Sequence, residues 1–218
     1  MSAAGVFVTG TGTEVGKSVV AAAIARTAAA TGRSMAVFKP AVSGLDEAGE
    51  ADHELLRRAS GSSQDDDEIA PYRYGPPVSP HLAAELAGEE LEPERLLAAA
   101  RAAAGSAEVL VCEGVGGFLV PLTREYLVRD LCVDLAYPMI VVASPGLGTI
   151  NHTLLTLEAV RAAGLEVRAV VMTPWAERPS RMELDNRATI AELGKVRVEA
   201  LPELDLSQPA LWPPLNLL

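Results

Sequence analysis

Apolar residues gather into six short, valine-rich runs, 6–9, 34–38, 109–112, 139–143, 167–172 and 195–201. Most are continuously apolar instead of alternating, the pattern of strands buried on both faces as in a parallel sheet. Between them lie longer stretches with helical character, 17–30, 52–60, 80–87, 93–104, 128–135, 151–163 and 181–193, where spacings such as Leu96, Leu97 and Ala100 place apolar side chains on one face. This alternation predicts an α/β fold, a doubly wound and mostly parallel sheet with helices on both faces, in one domain spanning 1–218. The segment 61–80 breaks the pattern. It carries Asp65, Asp66, Asp67 and Glu68, then Pro71, Pro76, Pro77 and Pro80, and reads as a surface excursion whose acidic run is a solvated face, not a metal site.

Composition narrows the picture. The chain is 49% hydrophobic with only 4% aromatic residues, so the core must be built from Ala, Val and Leu. A formal net charge of −11 argues against a nucleic-acid surface, and any anionic ligand must meet local positive charge. Cys112 and Cys132 lie in apolar surroundings without metal spacing, which suggests packing roles in a reducing compartment. Nothing resembles an export signal or a membrane span, so the expected location is the cytoplasm, with no membrane partner.

The candidate chemistry begins where the first apolar run meets Gly10-Thr11-Gly12-Thr13-Glu14-Val15-Gly16-Lys17-Ser18. A strand delivering a glycine-bearing loop into a helix is the layout that wraps phosphates with backbone N–H groups. Lys17 would hold the β- and γ-phosphates of a nucleoside triphosphate, and the Ser18 hydroxyl would ligate Mg²⁺. Five residues separate Gly10 from Gly16, one more than the usual pattern.

In an open parallel sheet ligands sit beyond the carboxyl ends of the strands, so the first polar residues after each run matter most. These are Lys39-Pro40, Glu113-Gly114-Val115-Gly116-Gly117, Ser144 to Gly148, and Thr173-Pro174. Lys39 beside Lys17 could neutralise charge developing in phosphoryl transfer. Glu113, directly after a buried run, must be paired or bound to metal, and with Ser18 it would make a plausible Mg²⁺ shell. Asp52 reads as a helix N-cap, a role compatible with metal binding. The helix expected from Asn151 has a start suited to a carboxylate or phosphate, while His152 reads as packed or partly exposed.

Together, the phosphate loop from Thr9 to Ser18, Lys39-Pro40 with Ser43-Gly44, Glu113 to Gly117, and Gly148-Thr149-Ile150-Asn151-His152 resemble the dethiobiotin synthetases nearly end to end, including the five-residue gap. The resemblance implies a cytoplasmic ligase of biotin biosynthesis that joins 7,8-diaminopelargonate and CO₂ into a cyclic urea with MgATP. It implies catalytic roles for Lys17, Lys39 and Thr11, and metal ligation by Ser18, Asp52 and Glu113. Nucleotide contacts would come from Glu14, Val15, Gly16, Lys17, Ser18, Val19, Asp52, Glu113, Gly114, Val115, Gly116, Thr173, Pro174, Pro202, Glu203 and Leu204. Ser43 would contact the diamine, and Gly148, Thr149, Ile150 and Asn151 would hold its carboxylate tail from the partner subunit of a homodimer. Val115 stands where the family usually has alanine. Thr173 stands where many members have an asparagine that reads adenine, so other nucleoside triphosphates are admissible.

Two alternatives remain at this level, another amide-forming ligase built on the same loop and a partition-type regulatory ATPase. The second carries an extra lysine near the start of the loop, where this chain has Thr11 and Gly12.

Overall fold

The computed structural model describes residues 4–218. Six strands, β1 (Ala4–Gly10), β2 (Met35–Phe38), β3 (Val109–Gly117), β4 (Met139–Ala143), β5 (Val167–Trp175) and β6 (Val198–Pro202), form one sheet in the order β2-β3-β1-β4-β5-β6. Every pairing is parallel. Because strand side chains alternate, Val6 and Val8 enter one core and Phe7 the other. The first core is closed by α1 (Lys17–Ala29) and α2 (Asp52–Ser60). The second is closed by α4 (Pro80–Ala87), α5 (Pro93–Ser106) and α6 (Val128–Leu135). Beyond β4, Val141, Val170 and Met172 pack with Leu157 and Ile190 of α7 (Thr149–Ala162) and α8 (Arg181–Gly194).

The alanine richness of α1 has a packing reason. Residues 20–25 are buried all round, since Leu215 and Leu217 of the C-terminal tail join the same core cluster. The Leu215 N–H donates to Thr27 Oγ1 at 2.8 Å, fixing that tail. Small side chains let a helix sit between two layers without voids.

Several expectations need correction. The segment 61–80 is no featureless excursion, because it contains α3 (Asp66–Ile69), capped by Asp65 accepting from the Glu68 N–H. Its acidic run does face outward, with Asp66 and Asp67 paired to Arg57 and Arg73. Its apolar residues Ile69, Tyr72 and Tyr74 are buried. Gln64 lies along the edge strand, accepting from Val37 N–H at 2.8 Å and donating to Val37 O at 3.1 Å, which covers an edge that would otherwise be open. Asp52 is the first residue of α2, not its cap; Ala51 holds that position, and the Asp52 side chain points elsewhere. Glu113 lies inside β3, which continues to Gly117. Thr173 likewise lies within β5. The last strand begins only at Val198, because Lys195 closes α8 in the left-handed conformation. The helix expected from Asn151 opens at Thr149.

Candidate active site

The phosphate loop leaves β1 at the centre of the sheet and re-enters as α1. Thr11 N–H donates to Val142 O at 2.9 Å, tying the loop to β4. Gly16, the N-cap of α1, has φ +91°, and a Cβ there would lie 2.6 Å from Thr173 Cγ2. Both the left-handed backbone and the lack of space require glycine. Glu14 also turns with positive φ and is exposed. No side chain caps α1 and no acidic residue stands in its first turn, so its N–H groups are left for an anion. Lys17 is buried, and its ammonium donates to Gly12 O at 2.9 Å across the loop. Burial lowers its pKa, opposed by Glu113 and reinforced by the like charge of Lys39.

Next to the loop, β2, β3 and the start of α2 bring three charged groups onto Ser18. Lys39 Nζ lies 2.6 Å from Glu113 Oε1 and 2.8 Å from Asp52 Oδ2. Ser18 Oγ lies 2.7 Å from Asp52 Oδ1 and 2.8 Å from Glu113 Oε1, and its single proton serves one of them at a time. Burial opposes the charge on Lys39, yet Glu113 and Asp52 outweigh it and hold the pKa above that of ordinary lysine. For Asp52 burial pushes upward, but Lys39 and the Ser18 hydroxyl pull the carboxyl down to about 2. Burial raises the Glu113 carboxyl above its usual range; Lys39 opposes this and Asp52 adds to it. Three buried or half-buried charges therefore depend on one another, an arrangement in which removing one partner leaves another uncompensated.

The donors suit a hard cation. Two carboxylates converge on one hydroxyl within hydrogen-bond reach, and among the described residues Glu113 Oε2 is buried with no hydrogen-bond partner. Among those residues no cluster of three His, Cys, Asp or Glu could hold a metal alone. A site of this kind completes its shell with phosphate oxygens and water, which is the habit of Mg²⁺.

The remaining sequence-derived residues fall into two groups. Around the sheet edge, Trp175 pairs with Pro202, so Thr173 and Pro174 stand beside Pro202, with Glu203 exposed beyond. Thr173 is buried and its methyl faces the phosphate loop at Gly16. Gly114 is buried within β3, Val115 and Gly116 after it are half-buried, and so is Val19 in the first turn of α1. Elsewhere, Gly148 is a left-handed N-cap with φ +91° opening α7, again without a side-chain cap or acidic first turn. Thr149 is buried, Ile150 half-buried and Asn151 exposed, next to Leu147 at 92% exposure. Among the described residues none of residues 148–151 hydrogen-bonds to Lys17, Ser18, Lys39, Asp52 or Glu113. His152 is exposed. Ser43 is half-buried in the segment after β2.

Two contributors were not read from sequence. Lys39 N–H donates to Ile69 O at 2.8 Å, so α3 holds the backbone of the site lysine. Thr9 Oγ1, at the end of β1, is buried without a partner among the described residues. The only sequence signal for the first was an isoleucine closing the acidic run; the second was read as the first residue of the loop motif, with no role of its own.

A family model described as an AAA domain matches residues 4–210. An ATP-dependent dethiobiotin synthetase BioD of Anaeromyxobacter dehalogenans (strain 2CP-1 / ATCC BAA-258) is 43% identical over 189 residues, covering 87% of this chain and 85% of that protein. The proteins of the same name from Mycobacterium sp. (strain JLS) and Bacillus subtilis (strain 168) are 40% and 35% identical, covering 89% and 87% of this chain and 86% and 82% of theirs. Among solved structures, a ParA family ATPase from Chlorobium tepidum TLS superposes with TM-score 0.57 at 13% identity, over 96% of this chain and 89% of that one. At that identity the likeness speaks for the fold alone. With the phosphate loop, Lys39 and Glu113 on one rim, and relatives matched over most of their length, the chain belongs to the family of ATP-dependent dethiobiotin synthetases.

Proposed function

We propose that this chain carries out the ATP-dependent closure of dethiobiotin in biotin biosynthesis, and that Lys17, Ser18, Lys39, Asp52 and Glu113 form the reacting centre. The observation that carries the reading is Lys39 Nζ bridging Glu113 and Asp52 beside Ser18, the residue that follows Lys17. One amine of 7,8-diaminopelargonate takes up CO₂ as a carbamate. A carbamate oxygen attacks the γ-phosphorus as the bond to the ADP oxygen breaks. The second amine then attacks the carbonyl carbon, loses its proton, and phosphate departs with the former carbamate oxygen. The chain's task is positioning and charge. The α1 N–H groups and Lys17 seat the phosphates, Lys39 meets the negative charge shared by carbamate and phosphoryl group, and Thr11 stands at the reacting end. Mg²⁺, held by Ser18, Asp52 and Glu113, would supply charge neutralisation to the phosphates.

The α7 start at Gly148 to Asn151 belongs, in this reading, to the partner's site in a cytoplasmic homodimer; its exposed Leu147 and Asn151 support that assignment. No helix among the described residues is long and apolar enough to cross a membrane. Phosphate release with and without 7,8-diaminopelargonate and bicarbonate tests the activity, and release independent of the diamine would overturn it. Mixing separately inactive Lys39→Ala and Asn151→Ala chains tests the shared site. Random exchange restores about a quarter of wild-type activity if the residues meet across a two-fold interface, and none if both act within one chain.

A further inference from the structure

The cation that neutralises Asp52 and Glu113 in this protein is a lysine. We propose that Lys39 is the resident cation of the metal site, keeping free divalent metal out so that metal enters only together with a nucleotide. The inference rests on Ser18, Asp52 and Glu113 being the metal ligands. It is carried by geometry: the ammonium sits 2.6 Å and 2.8 Å from one oxygen of each carboxylate, and the same Glu113 oxygen meets Ser18 Oγ at 2.8 Å. Lys39 is 2% exposed and Glu113 fully buried. A metal drawing on these oxygens must therefore compete with a charge-assisted pair.

What decides the competition is where the ammonium goes. Among the described residues its ion-pair partners are these two carboxylates, and the neighbouring basic group, Lys17, repels it. Metal alone would free a buried ammonium with no anion to receive it, which is the costly way to break a buried pair. Metal arriving on a triphosphate brings the anion with it. The phosphates over the loop accept Lys39, the carboxylates turn to the metal, and the lysine is delivered to the oxygens on which it acts. The same contact thus filters the ligand and times the lysine.

The test is direct Mn²⁺ binding by electron paramagnetic resonance on the full chain. Wild type should bind Mn²⁺ with ADP and only weakly without it. Lys39→Met should bind Mn²⁺ without nucleotide at least about tenfold more tightly than wild type, and the gain should vanish in Lys39→Met/Glu113→Gln. If wild type fails to take up Mn²⁺ with ADP, the metal assignment falls and the proposal with it. If it does take up Mn²⁺ with ADP but Lys39→Met gains nothing, the resident-cation role alone falls. Should Lys39→Met not fold by circular dichroism, ¹⁵N-lysine NMR of wild type decides the matter. The Lys39 ammonium signal should ignore millimolar Mg²⁺ and shift with Mg²⁺ and ADP; a shift with Mg²⁺ alone overturns the proposal.

Discussion

The helices α1 and α8 begin in opposite ways. At α8, Ser180 accepts from the Glu183 N–H while the Glu183 carboxylate accepts from the Ser180 N–H at 2.7 Å, so the helix meets its own first donors with its own side chains. At α1 the cap is Gly16, no side chain caps the first turn, and no carboxylate stands there. The start of α7 shares the glycine cap, with Gly148 at the same φ of +91° and no side-chain cap, although its Thr149 N–H donates to Gly146 O at 3.3 Å. A helix that caps itself is finished as a structure, whereas one left uncapped by glycine has its positive end available to a ligand anion. The two glycine starts are those assigned here to phosphate and to the substrate's carboxylate.

The comparison can be broken most severely by giving α1 what α8 has. Gly16→Asp adds a carboxylate at the cap, forces a side chain onto a left-handed backbone, and puts a Cβ against Thr173 Cγ2 at 2.6 Å. Nucleotide binding measured by calorimetry should fall by at least about a hundredfold, ~2.7 kcal/mol; binding near the wild-type value would end the argument for α1. Gly148→Asp should spare nucleotide binding and raise KM for the diamine by about tenfold. An unchanged diamine KM would separate α7 from the tail-binding role.

A third experiment sharpens the point, since a helix start reads phosphates that every nucleoside triphosphate shares. On the function proposed above, discrimination among bases falls to the β5–β6 edge, where Thr173 has no amide. CTP or GTP should support turnover within about tenfold of ATP, and Thr173→Asn should move the preference towards ATP. Strong rejection of both by the native enzyme would show that backbone groups do the reading. The smallest effects belong to α8. Ser180→Ala should lower stability by about 1 kcal/mol, and Tm by roughly 2–4 °C, with kinetics untouched. The Ser180 N–H and hydroxyl hold the Glu183 pKa below its ordinary value. Its contribution is therefore present above the ordinary carboxylate pKa and lost as pH falls through the lower folded one. Glu183→Gln should narrow its Tm difference from wild type as the buffer is acidified; a difference that grows in acid would contradict the sign.

Much of the site was legible because its parts are local. Gly16, Lys17 and Ser18 are consecutive, and Lys39 and Glu113 each follow an apolar run that could only be a strand. The parallel sheet then carries them to one rim by topology. What sequence hid depends on contacts between distant segments. Asp52 reads as a cap because aspartate at a helix start commonly is one, but Lys39 and Ser18 claim its oxygens and Ala51 takes the cap position. The four residues of α3 are too few to leave a periodicity; Ile69 and the Asp65–Glu68 box define them only once Ile69 is buried. The apolar run at 195–201 spans a helix end and a strand start because Lys195 reverses the backbone in the left-handed conformation, which a lysine at that position does not announce.

The hydrogen bond from Lys39 N–H to Ile69 O makes the 61–80 segment a poor place to alter the protein. By appearance it invites insertion, being acidic, proline-rich and outward-facing. Yet Gln64 and Ile69 fasten it to Val37 and to Lys39, at the end of the strand that presents the lysine, so a tag or splice there would be felt in turnover while the rest of the sheet stayed intact.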